Sequence, residues 1–216
     1  MLRAGKTLGV FAVITTAIVA ITYAITESQI IENERQALLK SLHELIPENR
    51  HDNDLYTDTK TLDIAALNFR GKPVTVYRAR TNNQATAAIF SVTAPDGYTG
   101  AINLLIAINA DDTLAGVRVV SHKETPGLGD AIETEKSDWI RIFDGQSLSN
   151  PLPERWKVKK DGGDFDQLTG ATITPRAIVK MTKKTLQYFQ ANHDLVFAKD
   201  DNPPTQIQQI QSGAGE

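Results

Sequence analysis

The chain has 216 residues, with 23 Lys+Arg against 26 Asp+Glu and a formal net charge of −3. It is long enough to bury a core without staples, and its pI near 5.8 argues against nucleic acid as a main partner, because neutralising a phosphate backbone needs a basic excess. With no cysteine it has no disulfide, thiolate metal site, self-ligated iron–sulfur cluster, redox dithiol or cysteine nucleophile, so any redox chemistry must come from a bound cofactor.

The charges are unevenly placed. Leu8 to Thr26 is a run of 19 residues without a charge. As a helix rising about 1.5 Å per residue it spans roughly 28 Å, close to the hydrocarbon thickness of a bilayer. Arg3 and Lys6 precede it, and Glu27, Glu32 and Glu34 follow. The positive-inside rule then keeps the N-terminus cytoplasmic and exports the rest, which carries a net −5 from 21 Lys+Arg and 26 Asp+Glu. A cleaved signal peptide is the main rival. The run exceeds the about 7–15 apolar residues of a signal h-region, and Thr22 with Ala24 is a mediocre small-x-small pair. A buried core helix is the other rival, but the polar hexapeptide ahead leaves it no domain to be the core of. Residues 1–26 are therefore read as a cytoplasmic N-terminus and uncleaved transmembrane anchor.

Residues 27–46 read as a stalk helix. Ile31, Leu38, Leu42 and Leu45 recur at helical spacing between Glu34, Arg35 and Lys40, and Pro47 stops the pattern. Packing on its own domain is the default for that stripe.

From about Asp63 to Phe197 the pattern is globular, within an exported domain taken as 47–198. Four strands are expected at Val74–Ala79, Ala87–Thr93, Ala101–Ala110 and Leu114–Ser121, with turns at Asp96-Gly97 and Asp111-Asp112. Ala131 to Phe143 reads as a helix with Ile132, Trp139, Ile140 and Phe143 on one face, and Trp156–Lys160 as a short strand. Thr174 to Asn192 reads as a helix with Thr174 as N-cap and Pro175 at the first helical position. The tail from Lys199 to Glu216, rich in Gln, Pro and Gly, is expected to be disordered. Strands then helices in irregular order, with hairpin-like neighbours, predict an α+β fold with an antiparallel sheet.

Common catalytic signatures are absent: no G-x-S-x-G, no H-E-x-x-H, no Walker loop. His43, His51, His122 and His193 lack metal-ligand spacing, and no catalytic or metal-ligating residue is expected. Two stretches are denser in special residues than a structural role needs. His122-Lys-Glu-Thr-Pro-Gly-Leu-Gly129 follows a strand and turns on Pro126, Gly127 and Gly129, so backbone can approach a flat ligand while Thr125 and loop amides donate to it. The same glycines also suit a plain strand-to-helix loop capped by Asp130. The second stretch is Asp161 to Pro175. In it Thr169 and Thr172 flank Gly170-Ala171, and Thr172 lies just before a helix N-terminus, where free N–H groups favour a phosphate. An N-capped loop, or a divalent cation on Asp161, Asp164 and Asp166, are the alternatives.

Asp166-Gln-Leu-Thr-Gly-Ala-Thr172 resembles the D-x-x-[ST]-G-A-T flavinylation motif of the FMN-binding domain family. Together with the glycine loop, the segment Ala94-Pro-Asp-Gly-Tyr-Thr-Gly-Ala-Ile102 and the anchor, it is similar to the G subunits of Rnf-type (Rsx) electron transport complexes. A more distant similarity is to the C subunits of sodium-translocating NADH:quinone reductases. The resemblance implies that a flavin transferase attaches FMN covalently to Thr172 through a phosphoester. It further implies an isoalloxazine ring against Glu124, Thr125, Leu128 and Gly129, with Thr169, Gly170 and Ala171 around the tether and Tyr98 a further contact. By the same resemblance the chain is an electron-relaying subunit, at the bacterial inner membrane with its domain on the periplasmic side. Its complex would couple NADH and ferredoxin chemistry to ion transport, and no complete activity is expected of this component alone. The competing reading is an exported, non-redox scaffold whose Thr-Gly-Ala-Thr run is only a helix cap.

Overall fold

A computed structural model describes residues 2–198. The tail expected to be disordered lies outside the described residues. The chain divides into two compact units, Met1–Lys40 and Ser41–Glu216.

The first unit is formed by most of helix α1 (Leu2–Leu45), which runs unbroken through both the expected anchor and the expected stalk. It is the one helix among the described residues long and apolar enough, by length and composition, to cross a membrane. Leu8, Phe11, Val13 and Ile25 are all largely exposed, so the apolar surface is unmet by other protein. Three of its threonine hydroxyls are met internally. Thr15 Oγ1 donates to the Phe11 carbonyl at 2.8 Å, Thr22 Oγ1 to Ile18 at 2.8 Å and Thr26 Oγ1 to Thr22 at 2.9 Å. In hydrocarbon, where water cannot serve, that back-bonding leaves no polar group of these threonines stranded.

The second unit is α+β. Five antiparallel strands lie in sequence order: β1 (Thr59–Leu62), β2 (Val74–Thr81), β3 (Gln84–Ala94), β4 (Ile102–Asn109) and β5 (Leu114–Ser121). The four predicted strands are all present, and β1 is an addition. Register follows the apolar alternation: Val76 faces Phe90, Phe90 faces Ile106, and Ile106 faces Val117. This face meets helix α2 (Ile173–Ala191) in one core containing Val76, Phe90, Leu104, Ile106, Ile178, Leu186 and Phe189. Each such side chain, fully withdrawn from water, contributes about 1.5–3 kcal/mol before entropy is counted. A short helix α3 (His193–Phe197) follows, with Phe189 edge-on to Phe90 and Phe197.

Behind the sheet, Ile89 and Leu105 are buried on the opposite face, as are Leu42, Leu45 and Ile46 at the end of α1. Glu44 pairs with Arg118 of β5 at 3.5 Å. The C-terminal part of the predicted stalk stripe therefore belongs to this unit, while Ile31 is exposed. The helix ends at Leu45, two residues before Pro47.

Three local expectations are corrected. Residues 131–143 form no α-helix; two 3₁₀ turns, Gly129–Ile132 and Trp139–Phe143, stand there instead. Ser137 Oγ donates to the Ala131 carbonyl and accepts from the Trp139 amide, giving the backbone a local alternative to helix. Trp156–Lys160 is no strand; Val158 makes one isolated bridge to Phe165, between the 3₁₀ turns Pro153–Arg155 and Lys159–Asp161. Third, α2 starts two residues earlier than predicted. Thr172, not Thr174, occupies the N-cap position, and Pro175 is the third helical residue rather than the first.

Candidate functional site

Strand β5 ends at Ser121 and delivers Glu124 into the interior, where its residue is 5% exposed. The carboxylate is held on both oxygens. Oε2 accepts the Thr174 hydroxyl from the first turn of α2. Oε1 accepts the Thr99 amide at 3.1 Å from the β3–β4 loop, and the Thr99 hydroxyl, which donates to the Lys123 carbonyl at 2.5 Å, lies at the same distance from Oε1. One buried side chain thus clasps three segments that are far apart in sequence. Space for it is made by glycine: a Cβ on Gly129 would lie 2.9 Å from Oε2, and one on Gly97 would lie 3.0 Å from Oε1.

The clasp is backed by a second layer. His122 Nδ1 accepts the Glu124 amide at 2.9 Å, so its Nε2 carries the proton donated to Glu133 at 2.6 Å. That bond holds the Glu133 carboxyl below its usual range. Lys136 reaches both Asp130, at 2.8 Å, and Glu133, at 3.3 Å. Its ammonium, with the Gly127 amide after it, lowers Asp130 in the same sense. The Thr125 carbonyl accepts the Leu128 and Gly129 amides, which folds the loop back and leaves Thr125 and Leu128 exposed on its tip.

The second stretch packs beside that tip. Leu168 and Ala171 bridge across a tight turn, with Gly170 at φ +81°. A Cβ on Gly170 would stand 3.0 Å from Leu128 Cδ2, so the two predicted loops are in contact. The turn is pinned at its start by Trp139, whose indole N–H donates to the Asp166 carbonyl at 2.7 Å. It is pinned at its end by Thr174 on Glu124. Its acidic residues are each engaged: Asp161 with Arg176 at 2.5 Å, Asp164 with the Arg155 Nε at 2.9 Å, and Asp166 with Lys159 at 2.6 Å. Three carboxylates so paired do not converge on a cation. Among the described residues no cluster of three or more metal-ligating side chains occurs.

Thr169 and Gly170 are exposed and Thr172 is half-buried. Thr172 sits at the head of α2, yet its side chain makes no cap hydrogen bond. Thr174, by contrast, is fully buried and its hydroxyl is committed. Tyr98, 67% exposed, precedes Thr99 on the loop that Glu124 holds.

A family model described as the FMN-binding domain matches residues 97–187, which include every residue of this site. A second, the RnfG N-terminal region, matches residues 1–45. The G subunit of the ion-translocating oxidoreductase complex of Pseudomonas aeruginosa strain UCBPP-PA14 is 46% identical over 201 residues, 93% of this chain and 94% of the relative. The G subunit of Pseudoalteromonas atlantica is 43% identical, covering 94% of each chain. That of Vibrio atlanticus is 42% identical over 92% of this chain and 94% of its own. The chain belongs to this G-subunit family.

The residues present fit the phosphate end of an FMN. A hydroxyl without an internal partner stands at a helix N-terminus, where the field favours negative charge. The turn before it needs Gly170, both for its left-handed φ and for the approach of Leu128. Exposed apolar surface on Leu128, Ile173 and Tyr98 is available nearby for a flat ring.

Sequence reasoning gave Thr99 no part in the site, and placed His122 and Thr174 inside the two stretches without the roles they hold. Thr174 did carry a signal, a Thr before Pro at a helix start, but local capping rules point that hydroxyl at the backbone. Nothing in those rules anticipates a carboxylate fifty residues upstream.

Proposed function

We propose that this chain is the FMN-carrying subunit of a membrane-bound, ion-translocating oxidoreductase complex, with the flavin phosphate esterified to Thr172. The observation that carries the reading is the free Thr172 hydroxyl at the head of α2, at the last position of Asp166-Gln-Leu-Thr-Gly-Ala-Thr172. When bound, FMN supplies one- or two-electron transfer, which a chain without cysteine cannot provide. The protein's own residues tether and orient. Thr172 provides the oxygen, the α2 N-terminus faces the phosphate charge, and Gly170 keeps the turn open beside it. Thr125 and Leu128 offer the ring a surface, with the buried Gly129 letting the loop pack close beneath and Tyr98 at its edge. Glu124 shapes that surface from below. No proton-transfer base is needed for electron relay.

Residues 1–26 would anchor the chain in the bacterial inner membrane. Residues 27–46 would form the stalk, and 47–198 the FMN domain on the periplasmic side. The basic Arg3 and Lys6 ahead of the apolar run support that orientation. The partners are the other subunits of the complex and, during maturation, a flavin transferase; the complex couples NADH and ferredoxin oxidation–reduction to ion transport. Covalent attachment suits a domain outside the cytoplasm, where lost FMN could not easily be replaced. The test is denaturing electrophoresis of protein from its native host: in-gel flavin fluorescence is expected at this chain. A colourless band with no flavin on the peptide 161–176 would leave the scaffold reading instead.

A further inference from the structure

Three threonines lie within six residues in the acceptor stretch, and the structure treats two of them in opposite ways. Thr172 has a free hydroxyl, while Thr174, two residues on, is fully buried and donates to Glu124. Thr172 is the N-cap of α2 and Thr174 its second residue, so the Thr174 bond fixes the helix start that carries Thr172. The same carboxylate holds Thr99, and it is wedged between Gly97 and Gly129, so it cannot follow if α2 shifts. At the other end, Trp139 holds the Asp166 carbonyl. The acceptor turn is therefore held at both ends by the protein's own groups.

We infer that the buried Glu124–Thr174 hydrogen bond is a positioning device for flavinylation: it withdraws the Thr174 hydroxyl from reaction and sets the Thr172 hydroxyl where the transferase can use it. The inference rests on Thr172 being the acceptor. In the step it serves, an activated flavin nucleotide supplies FMN as a phosphoric anhydride. The Thr172 Oγ–phosphorus bond forms, the anhydride P–O bond breaks, a nucleoside monophosphate leaves and the hydroxyl proton passes to solvent. Nothing is oxidised or reduced. Glu124 and Thr174 are positioning residues here, since neither contributes an atom to that exchange.

The experiment uses the full chain in detergent, flavin transferase, and flavin adenine dinucleotide (the anhydride of FMN and AMP) as donor. Flavin incorporation is timed for wild type, Thr174→Val, Thr174→Ser and Thr172→Ala. A control, Leu186→Ala, removes core volume at the far end of α2 and is matched to Thr174→Val by melting temperature. Misplacing a reacting oxygen by a fraction of its path is costly, so Thr174→Val should lower the transfer kcat about tenfold or more with the donor KM unchanged. Thr174→Ser should restore the rate and the control should keep it. Should Thr174→Val not fold, the smaller Thr174→Ala takes its place. Wild-type transfer by Thr174→Val, no rescue by Thr174→Ser, or equal slowing in the control would overturn the inference. Failure of the underlying reading shows separately, as flavin still incorporated in Thr172→Ala.

Discussion

The clasp around Glu124 and the turn around Thr172 lie side by side but have opposite characters. The clasp is buried and held on both oxygens: one carboxylate, the Thr99 amide and the Thr174 hydroxyl as donors, two glycines pressed against it. The turn is open, and the Thr172 hydroxyl at its end is unspent. The same residue type serves both, as Thr174 and as Thr172. What separates structural from chemical use is whether the fold has already given the hydroxyl a partner.

The largest effect should come from breaking the clasp. Glu124→Leu leaves the Thr174 hydroxyl and the Thr99 amide without their acceptor, and should cost about 2–4 kcal/mol in chemical denaturation. If stability stays unchanged, the clasp is not a stabilising element. Gly129→Ala tests the same region more gently. Its Cβ would press on Glu124 at 2.9 Å and on the Thr174 hydroxyl at 3.2 Å, for about 1–2 kcal/mol lost. On the open side, Gly170→Ala meets a left-handed φ and Leu128 together, and about 1 kcal/mol is expected. A Gly170→Ala loss exceeding that of Glu124→Leu would invert the comparison.

Acid should loosen both regions, unequally. Asp130 is held low by Lys136 and Asp161 by Arg176. A carboxyl depressed in the folded state stabilises fully above its unfolded pKa, about 4, and that contribution is lost as pH falls through the folded value. Replacing either by Asn should therefore flatten the acid limb of stability against pH. The Asp130 side chain is 7% exposed and that of Asp161 is 34%, so salt should screen the second pair more and Asp130→Asn should flatten the limb more. A steeper limb in either variant would contradict the assignment.

How far the sequence reveals all this differs by element. Strands β2 to β5 are legible because Val, Ile and Leu alternate along them on the face that meets α2. Strand β1, Thr-Lys-Thr-Leu, is too short and polar to stand out. The run 131–143 has helical spacing of apolar residues, and all four, Ile132, Trp139, Ile140 and Phe143, do reach the core. They arrive through 3₁₀ turns because Ser137 diverts the backbone. At the site, the glycine loop and the Thr-Gly-Ala-Thr turn are visible as local patterns. That they touch, through Leu128 and Gly170, and that Glu124 and Thr174 lock them together, are non-local facts. The exchange of N-cap from Thr174 to Thr172 follows from that lock: a hydroxyl drawn inward to a buried carboxylate cannot also cap its helix.

The smallest expected change in stability belongs to the variant that matters most. Thr172→Ala removes a hydroxyl with no cap hydrogen bond to lose, so stability should stay within about 0.5 kcal/mol of wild type. The decisive measurement is mass spectrometry of peptide 161–176 from wild type and Thr172→Ala, each produced with its flavin transferase. The wild-type peptide should gain one FMN less one water, with fragments placing it on Thr172, and the variant peptide should carry none. A variant peptide that still gains FMN, on Thr169 or Thr174, would contradict the account.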